Sequence, residues 1–503
     1  MLFSWLPASL PILLLVGLMV RLRWGVARAG PAGWLAAALV GWIAFGAGPN
    51  ILAVAQAKAF FQVLDVLLIV TSAYLLYRVV DEAGGVAALA VALPKVTPDR
   101  GLQALLIAWA YASFLQGVGG FGVPVVVTAP ILAGLGFGPV VSVVAPSVGH
   151  AWSVTFGSLG SSFQAMMAAT GLPGEILAAP AAALLGLVCF GCGVSVAWIA
   201  AGKEQIRGLI VPVLAIGVAM AATQYALAVN RLWNVAGFGG GLVGLAIGLG
   251  IARWRKKSNA PTASDPIDRR ELVLALAGYA ALVVITFSII LIRPVEKALS
   301  VVVIQAEFPA TVTGAGFHIS AEAGKAIVLL RHAGAALTYS SILAYLIYAG
   351  SRRYRPGALG RILRSTAQGI LPSWIGILAL LSMASIMTHA GMTEALARGL
   401  AVSGPFFSLA APWMGALGAF ISGSNTSSNL LFGMLQRRTA EMLGLSVAWV
   451  LAGQTAGAAV GSVVSPAKIV VGAASVAGGE RAPEEGLVLR RLLGPTALLI
   501  ALA

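Results

Sequence analysis

Apolar stretches long enough to cross a lipid bilayer follow one another along almost the whole chain, separated by short polar segments. A helix needs roughly 20 predominantly apolar residues to span the hydrocarbon core, so the pattern predicts an all-α polytopic membrane protein with about 12 to 14 transmembrane segments. Two segments, 101–136 and 404–435, are each predicted to consist of two half-length pieces. The other segments cover residues 3–20, 31–48, 61–80, 139–160, 176–200, 208–228, 234–252, 272–292, 325–350, 369–390, 444–478 and 490–503.

The composition supports this class. Of the 503 residues, 59% are hydrophobic and 10% are charged, whereas soluble domains carry about a quarter charged residues. The net charge of +15 could indicate nucleic-acid binding, but the basic residues lie in short loops beside the apolar segments, where cytoplasmic Lys and Arg orient a membrane protein. We therefore expect a multi-pass protein of the bacterial cytoplasmic membrane that contacts lipid and no nucleic acid.

Five groups of basic residues restrict the topology. They can all be cytoplasmic only if the N-terminus is outside and segment 101–136 enters and leaves the membrane on the same side. This segment is therefore predicted to be a re-entrant hairpin. The groups are Arg21, Arg23 and Arg28; Lys95 and Arg100; Lys203 and Arg207; the basic residues of 253–270; and those of 352–364.

The chain is predicted to be one integral membrane transport domain, 1–503. A first half, 1–252, and a second half, 272–503, are joined by a cytoplasmic linker, 253–271, which contains two prolines. The long external loop, 293–325, is predicted to pack on the membrane surface.

The two halves resemble each other. Phe114-Leu115-Gln116-Gly117 matches Phe420-Ile421-Ser422-Gly423, and the same register places Gly149 near Gly457. With the loop charges, the first hairpin enters from the cytoplasm and the second from outside. This predicts two inverted repeats with broken, re-entrant helical hairpins that meet near the midplane of the membrane and hold a substrate there.

The first interruption is Gln116–Pro124, with four glycines in nine residues. Each Gly in a helix interior costs on the order of 1 kcal/mol relative to Ala, so an intact helix is not expected. Lipid cannot satisfy the freed backbone groups, which favours a lined cavity, and the N–H groups of the half-helix starting near Val123 suit a carboxylate. The alternative is a glycine surface for close helix packing.

The second interruption is Ser422–Asn429, with seven hydrogen-bonding side chains in eight residues between apolar runs. Burying these groups without partners would cost several kcal/mol, so a substrate or ion site is predicted; a plain external loop is the alternative. Ser465 and Lys468 lie in a third interrupted stretch. Lys468 could neutralise a carboxylate or reach the membrane interface.

Six further residues could carry chemistry. His150 and Asp65 lie within apolar segments and are candidates for proton coupling, with a structural His and a buried partner of Lys or Arg as the alternatives. His332 and His389 lie near segment ends and are interpreted as interfacial. Cys189 and Cys192 are interpreted as packing residues, because no nearby ligands complete a metal set. No metal and no cofactor are predicted.

Several of these blocks resemble the L-lactate permease family. They are Gly117–Pro124 with Ala129–Pro139, and Gly423–Phe432 with the later V-V-S-P-A-K. The resemblance extends over nearly the whole chain and implies a secondary transporter that takes up lactate or glycolate with protons, within the wider ion transporter superfamily. It also implies that Ser424, Asn425 and Thr426 line the substrate and ion site. An acidic residue often precedes the first Gly-rich break in the family, whereas this chain has Gln116.

The predicted function is a secondary active permease for a small monocarboxylate, L-lactate, D-lactate or glycolate, working by proton symport. Its rivals are a sodium-coupled transporter of another small organic anion, a membrane-embedded transferase and a passive channel. Both a monomer and a homo-oligomer remain open. The predicted substrate site comprises Gln116, Gly117, Gly119, Gly120, Phe121, Gly122, His150, Ser422, Gly423, Ser424, Asn425, Thr426, Ser427, Asn429, Ser465 and Lys468.

Overall fold

The computed structural model describes residues 5–22, 24–92, 96–120, 122–258, 269–324, 326–476 and 483–503. Phe121 and most of the predicted linker lie outside the described residues, as do Arg23, Lys95 and Lys325. The described chain is built almost entirely from apolar helices, which confirms the predicted all-α polytopic class.

Nine helices of the described residues are long and apolar enough to cross a membrane, and up to twelve spans result if each of three bent helix pairs forms one. The upper count agrees with the lower end of the predicted range. All α-helices of the described residues, whether or not they are long enough to span a membrane, are α1 (Trp5–Arg21), α2 (Val26–Phe45), α3 (Pro49–Glu82), α4 (Gly85–Ala92), α5 (Arg100–Ala104), α6 (Ala112–Val118), α7 (Val123–Gly134), α8 (Pro139–Gly149), α9 (Gly157–Thr170), α10 (Gly174–Val229), α11 (Trp233–Ser258), α12 (Arg269–Leu291), α13 (Arg293–Leu299), α14 (Ala333–Gly350), α15 (Ala358–His389), α16 (Met392–Leu400), α17 (Phe407–Ser422), α18 (Asn425–Met442), α19 (Val447–Val463), α20 (Pro466–Val476) and α21 (Glu485–Ala501).

The first re-entrant hairpin is present as predicted. A π-helical stretch, Leu105–Tyr111, joins α5 to α6, and α7 returns after the break. At the open end of this hairpin, Arg100 Nη2 donates a hydrogen bond of 2.7 Å to the Gly136 carbonyl. The hairpin therefore begins and ends at the same face of the molecule, where Asp99 also pairs with Arg255 at 2.8 Å.

The second hairpin, α17 and α18, enters from the opposite face. Phe407 at its start and Leu443 just after its end pack in one apolar cluster. The Arg437 guanidinium in α18 donates to the carbonyl of Thr170, the last residue of α9. The unbroken helix α11 runs from Trp233, which packs on Gly174 close to Thr170, to Arg255, which pairs with Asp99 at the open end of the first hairpin. Thr170 therefore lies across the molecule from that open end.

Each hairpin is followed by a broken helix. In the first half, α8 continues through a 3₁₀ turn at Ala151–Ser153 and the chain then bends by 52° before α9, and in the second half α19 and α20 are bent by 40° at Val464–Ser465. The prediction of one uninterrupted segment over 139–160 is therefore wrong. The apolar pattern of this segment gave no sign of a break. The residues around Gly157 pair their polar groups through tertiary contacts and not through a continuous helix.

The predicted match between Gly149 and Gly457 agrees with their packing. A Cβ at Gly149 would lie 1.9 Å from the carbonyl oxygen of Ala108, and a Cβ at Gly457 would lie 1.9 Å from that of Pro412. In each half, a glycine of the broken helix thus lets its backbone touch the first arm of the preceding hairpin. No larger residue fits at either position.

The external loop forms a β-arm and not an irregular surface segment. Its six two-residue strands are β1 (Val303–Ile304), β2 (Glu307–Phe308), β3 (Thr311–Val312), β4 (His318–Ile319), β5 (Glu322–Ala323) and β6 (Ile327–Val328), paired antiparallel as β1–β6, β2–β5 and β3–β4. The arm folds over α3, where the Phe61 and Phe308 rings lie 6.2 Å apart. At the tip of the arm, the Gly314 N–H donates a hydrogen bond of 2.9 Å to the Gly46 carbonyl. Buried Phe308 packs the arm onto α3, and the position of the loop at the membrane surface stays a prediction.

Candidate transport site

The tip of the first hairpin packs against the unpredicted break in the same half. A Cβ at Gly157 would lie 2.7 Å from Gln116 Nε2 and 2.8 Å from the Gln116 carbonyl, and a Cβ at Gly120 would lie 1.8 Å from Ser158 Oγ. Gly120 and Gly122 have φ of 57° and 87°, values that favour glycine. Gly117 and Gly119 serve close packing against Phe238 and Tyr77. The helix is therefore broken as predicted, two of the glycines serve close packing, and the substrate role of the break stays a prediction.

The backbone of this tip offers fewer donors than the sequence suggested. The Val123 N–H donates to the Gly120 carbonyl at 2.9 Å, and Pro124 has no N–H. The first two residues of α7 therefore have no N–H group left for a ligand.

The break opposite the tip contains the most unusual backbone of the described chain. Ser158 and Leu159 have φ of 47° and 54°, and Gly160 follows with φ of 82°. A left-handed conformation costs a non-glycine residue roughly 1–2 kcal/mol, and such strain is concentrated at functional sites. Two glycines in V-T-F-G-S-L-G, residues 154–160, are the one feature of this segment that could indicate a break. They stand in a segment that is otherwise typical of an apolar span.

The second tip is ordered by its own side chains. Ser424 is the N-cap of α18 and accepts a hydrogen bond from the Ser427 N–H at 3.2 Å. Ser422 Oγ donates to the Gly418 carbonyl at 2.7 Å. Gly423 has φ of 70°, and a Cβ there would lie 3.2 Å from Ser465 Oγ, so this tip meets the break between α19 and α20.

A buried polar network joins the second tip to the first half. Asn425 Nδ2 donates to Thr155 Oγ1 at 3.0 Å, and Asn429 Nδ2 donates to the Ser162 carbonyl at 3.0 Å and to Thr455 Oγ1 at 2.9 Å. Asn425 is 2% exposed and Asn429 is fully buried. The plain-loop alternative for Ser422–Asn429 therefore does not hold.

Two further contacts extend the network. Ser162 and Thr426 hydroxyls lie 2.9 Å apart, and those of Thr155 and Thr455 lie 3.2 Å apart. Sequence reasoning singled out Asn425, Asn429 and Thr426 but missed the three partners on α19 and around the start of α9. The two predicted interruptions thus meet at opposite sides of one short segment, 155–162, with Gln116 on one side and Asn425 on the other.

Lys468 points toward the polar breaks. Its Nζ donates to Ser462 Oγ at 3.1 Å, in the last turn of α19. One turn further along α20, a Cβ at Gly472 would lie 2.9 Å from Val125 of α7, so the helix that carries Lys468 also packs on the first hairpin. No carboxylate of the described residues is within salt-bridge distance of Lys468.

His150 and the cysteines are enclosed. His150 is 1% exposed, and its Nδ1 lies 2.6 Å from the Pro146 carbonyl. Cys189 and Cys192 are fully buried free thiols in α10. Over the described ranges, no cluster of three or more His, Cys, Asp or Glu side chains could hold a metal.

A cavity of about 1080 Å³ opens beside α3, α9, α18 and the β-arm. Asp65, a candidate for proton coupling, lines it together with His332, and none of the described residues of the two interruptions does. Asp65 Oδ1 lies 2.7 Å from His332 Nε2, so a histidine is one partner of Asp65, and the interfacial interpretation of His332 stays a prediction. Gln164 and Asn234 also line the cavity, and Asn234 packs on Gly160, which places the strained break directly behind the cavity wall.

The whole chain matches a known family. The model of a family described as L-lactate permease aligns with residues 4–503. The chain belongs to the L-lactate permease family. An L-lactate permease of Bacillus subtilis strain 168 is 26% identical over 83% of this chain and 80% of its own length, and glycolate permease GlcA of Escherichia coli K12 is 26% identical over 81% and 78%.

An L-lactate permease of Escherichia coli K12 is 26% identical over 94% of this chain and 90% of its own length. Among solved structures, the YdaH transporter of Alcanivorax borkumensis is 14% identical, with a TM-score of 0.46 over 87% of this chain and 83% of that one.

Membership of the permease family makes the chain a multi-pass membrane transporter and not an enzyme. The transferase alternative is thereby set aside. In this permease, the buried network between the second tip and segment 155–162 is one place in the described structure where polar groups of both halves meet.

Proposed function

We propose that this permease carries a small 2-hydroxy monocarboxylate, L-lactate, D-lactate or glycolate, across the bacterial cytoplasmic membrane together with protons. The substrate class is supported by the names of its relatives, which are lactate and glycolate permeases. The observation that carries the location of the site is the network from Asn425 and Asn429 to Thr155 and Ser162. Polar groups of this density are expected where a charged solute crosses lipid.

The proposed roles follow from the chemistry of each group. Lys468 supplies the positive charge for the substrate carboxylate, while hydroxyls of the second tip and the amide of Gln116 donate hydrogen bonds to it. A carboxylate that leaves water needs such charge-assisted hydrogen bonds in place of its hydration shell. Asn429 Oδ1 is buried with no partner in the described structure, so an acceptor is available for a substrate hydroxyl when the network opens.

Halves 1–252 and 272–503 are proposed to act as inverted repeats, with 253–271 as the linker. Support comes from the hairpins that enter from opposite faces and from the paired contacts of Gly149 and Gly457. Alternating access requires the site to be closed to one side in each state. The interruptions do not line the large cavity, as expected for a conformation in which the site is closed from that side.

Sodium coupling is the second candidate, because the Asn425–Asn429 region gathers amide and hydroxyl oxygens without a carboxylate. Purified protein in liposomes, given labelled L-lactate, separates the possibilities when proton and sodium gradients are imposed one at a time. Accumulation driven only by an inward proton gradient supports the proposal, and accumulation driven only by sodium supports the rival. No accumulation of lactate or glycolate under either gradient refutes the substrate, and equilibration without accumulation indicates a passive channel.

A further inference from the structure

Asp65 and His332 form a buried pair at the wall of the large cavity. Asp65 Oδ1 and His332 Nε2 are 2.7 Å apart, and their side chains are 6% and 10% exposed. Asp65 lies in the middle of α3, and His332 immediately precedes α14. The pair therefore joins two helices at a position that the cavity reaches.

The other nitrogen of His332 holds the start of α14. His332 is the N-cap of this helix, and its Nδ1 accepts a hydrogen bond of 3.2 Å from the Gly334 N–H. A ring nitrogen that accepts a hydrogen bond carries no proton, so the proton of the neutral ring lies on Nε2 and is donated to the Asp65 carboxylate. Both ring nitrogens are thus committed while the ring is neutral.

We propose that the coupling proton binds at this pair, on His332 Nδ1, and that its binding releases the first turn of α14. The inference rests on the proposed proton symport and names its proton site. The incoming proton takes the Nδ1 lone pair, Nε2–H stays on the ring, and the carboxylate stays ionised. The ring becomes an imidazolium, and the Gly334 N–H loses its acceptor.

The site of protonation follows from the two hydrogen bonds of the ring. Nε2–H already faces Asp65 Oδ1, so a proton added at Nδ1 leaves the contact between the ring and the carboxylate in place and displaces the Gly334 N–H. A hydrogen bond from a charged donor to a carboxylate is stronger than one from a neutral donor. Protonation therefore strengthens the link to α3 while it weakens the cap of α14, which gives the two helices different restraints in the two states.

The neighbouring charges are already paired. Lys58 of α3 pairs with Glu322 of the β-arm, and Arg331 pairs with Glu296 of α13. His318, on the β-arm, is exposed. In each of these pairs the two opposite charges balance each other. Asp65, which contacts the ring, is therefore the charge with the strongest effect on His332.

The geometry favours this pair over His150 as the proton site. The Nδ1 of His150 is bonded to the Pro146 carbonyl, and the ring is 1% exposed. His150 does not line the cavity, whereas Asp65 and His332 both do. A proton from bulk water can reach the pair without crossing packed apolar side chains.

The decisive variants separate the imidazole from its capping role. His332→Asn removes the ring, while an Asn side chain still accepts the Gly334 N–H as a good N-cap. Asp65→Asn removes the carboxylate. His318→Asn is the matched control, because His318 lines the same cavity but lies in an exposed strand. Each variant is assayed in liposomes for lactate accumulation under an inward proton gradient and for exchange of labelled lactate without a gradient.

We expect His332→Asn and Asp65→Asn to lose accumulation by about 5- to 150-fold, the usual range for coupling between two ligands, while exchange stays within about threefold. The control should keep both activities. Equal loss of accumulation and exchange would indicate a structural role and overturn the proposal, as would full accumulation in both variants. If the wild-type protein itself accumulates no lactate under a proton gradient, the proposed function fails instead.

Hydrogen exchange provides a readout that does not depend on transport. After correction for intrinsic rates, the Gly334 peptide of the wild-type protein should lose protection as the pH is lowered, because protonated Nδ1 cannot accept its N–H. In His332→Asn, protection of the same peptide should not change with pH. Protection that is independent of pH in the wild-type protein would overturn the inference even if transport is coupled to protons.

Discussion

Replacing Lys468 with Gln removes the positive charge beside the polar network but keeps a side chain that can still hydrogen-bond Ser462, 3.1 Å from Nζ. A hydrogen bond to a charged group contributes about 1.5–3 kcal/mol. Because a tenfold change in affinity corresponds to about 1.4 kcal/mol, the KM for lactate should rise by about 10- to 150-fold. Lys468→Arg keeps the charge and should recover most of the affinity. The assay is the concentration dependence of labelled lactate uptake in liposomes, normalised to folded protein.

Lys58→Gln is the control for Lys468→Gln. Lys58 lines the cavity and pairs with Glu322, and such partly exposed pairs contribute about 0–1 kcal/mol. Its KM should change by no more than about fivefold. If Lys468→Gln transports lactate with the wild-type KM, Lys468 does not bind the carboxylate, and the reasoning that placed Lys468 in the proposed substrate site is refuted.

Three further outcomes are expected. Gly457→Val should lower the stability in detergent by about 1–3 kcal/mol or more, measured by thermal unfolding, because even a Cβ would lie 1.9 Å from the Pro412 carbonyl oxygen. Asn429→Leu removes the side-chain donor to the Ser162 carbonyl of α9, which should lower the stability by about 1–3 kcal/mol. Lactate uptake should also fall when it is measured per molecule of folded protein, because the substitution changes the proposed site itself. Cys189→Ala and Cys192→Ala should leave uptake near the wild-type level, and a large loss would contradict their packing role.

The two hairpin breaks could be predicted because their residues are incompatible with an intact helix in lipid. Four glycines at Gln116–Pro124 remove helix propensity, and seven polar side chains at Ser422–Asn429 cannot be buried in hydrocarbon alone. These are local signals. The opposite directions of the hairpins followed from the placement of Arg and Lys in the loops, which is also readable from one sequence.

The break at the start of α9 could not be predicted in the same way. Ser158 and Leu159 are not residues that favour positive φ, and the segment around them reads as apolar. Their segment packs tightly on the first tip, where Gln116 occupies the space beside Gly157 and Gly120 lies against Ser158. A tertiary contact that overrides local preference leaves no periodic pattern in the sequence.

The contact between Asp65 and His332 could not be predicted from the sequence for a related reason. Asp65 and His332 are 267 positions apart, and a single sequence contains no information about which distant residues meet. The isolated acid in an apolar segment showed that a partner was needed. His332, next to Arg331 at a segment boundary, had the appearance of an interfacial residue.

The closed network sets an energetic condition on transport. Four residue pairs connect the halves there: Asn425–Thr155, Asn429–Ser162, Thr426–Ser162 and Thr455–Thr155. At a net value of about 1 kcal/mol for each hydrogen bond, separating these halves costs about 4 kcal/mol. In the proposed site, water or a bound carboxylate would replace these partners as the site opens, since unpaired groups would cost more. A substrate that offers both a carboxylate and a hydroxyl would replace more of them than a simple fatty acid, which would give the proposed site a basis for selecting 2-hydroxy acids.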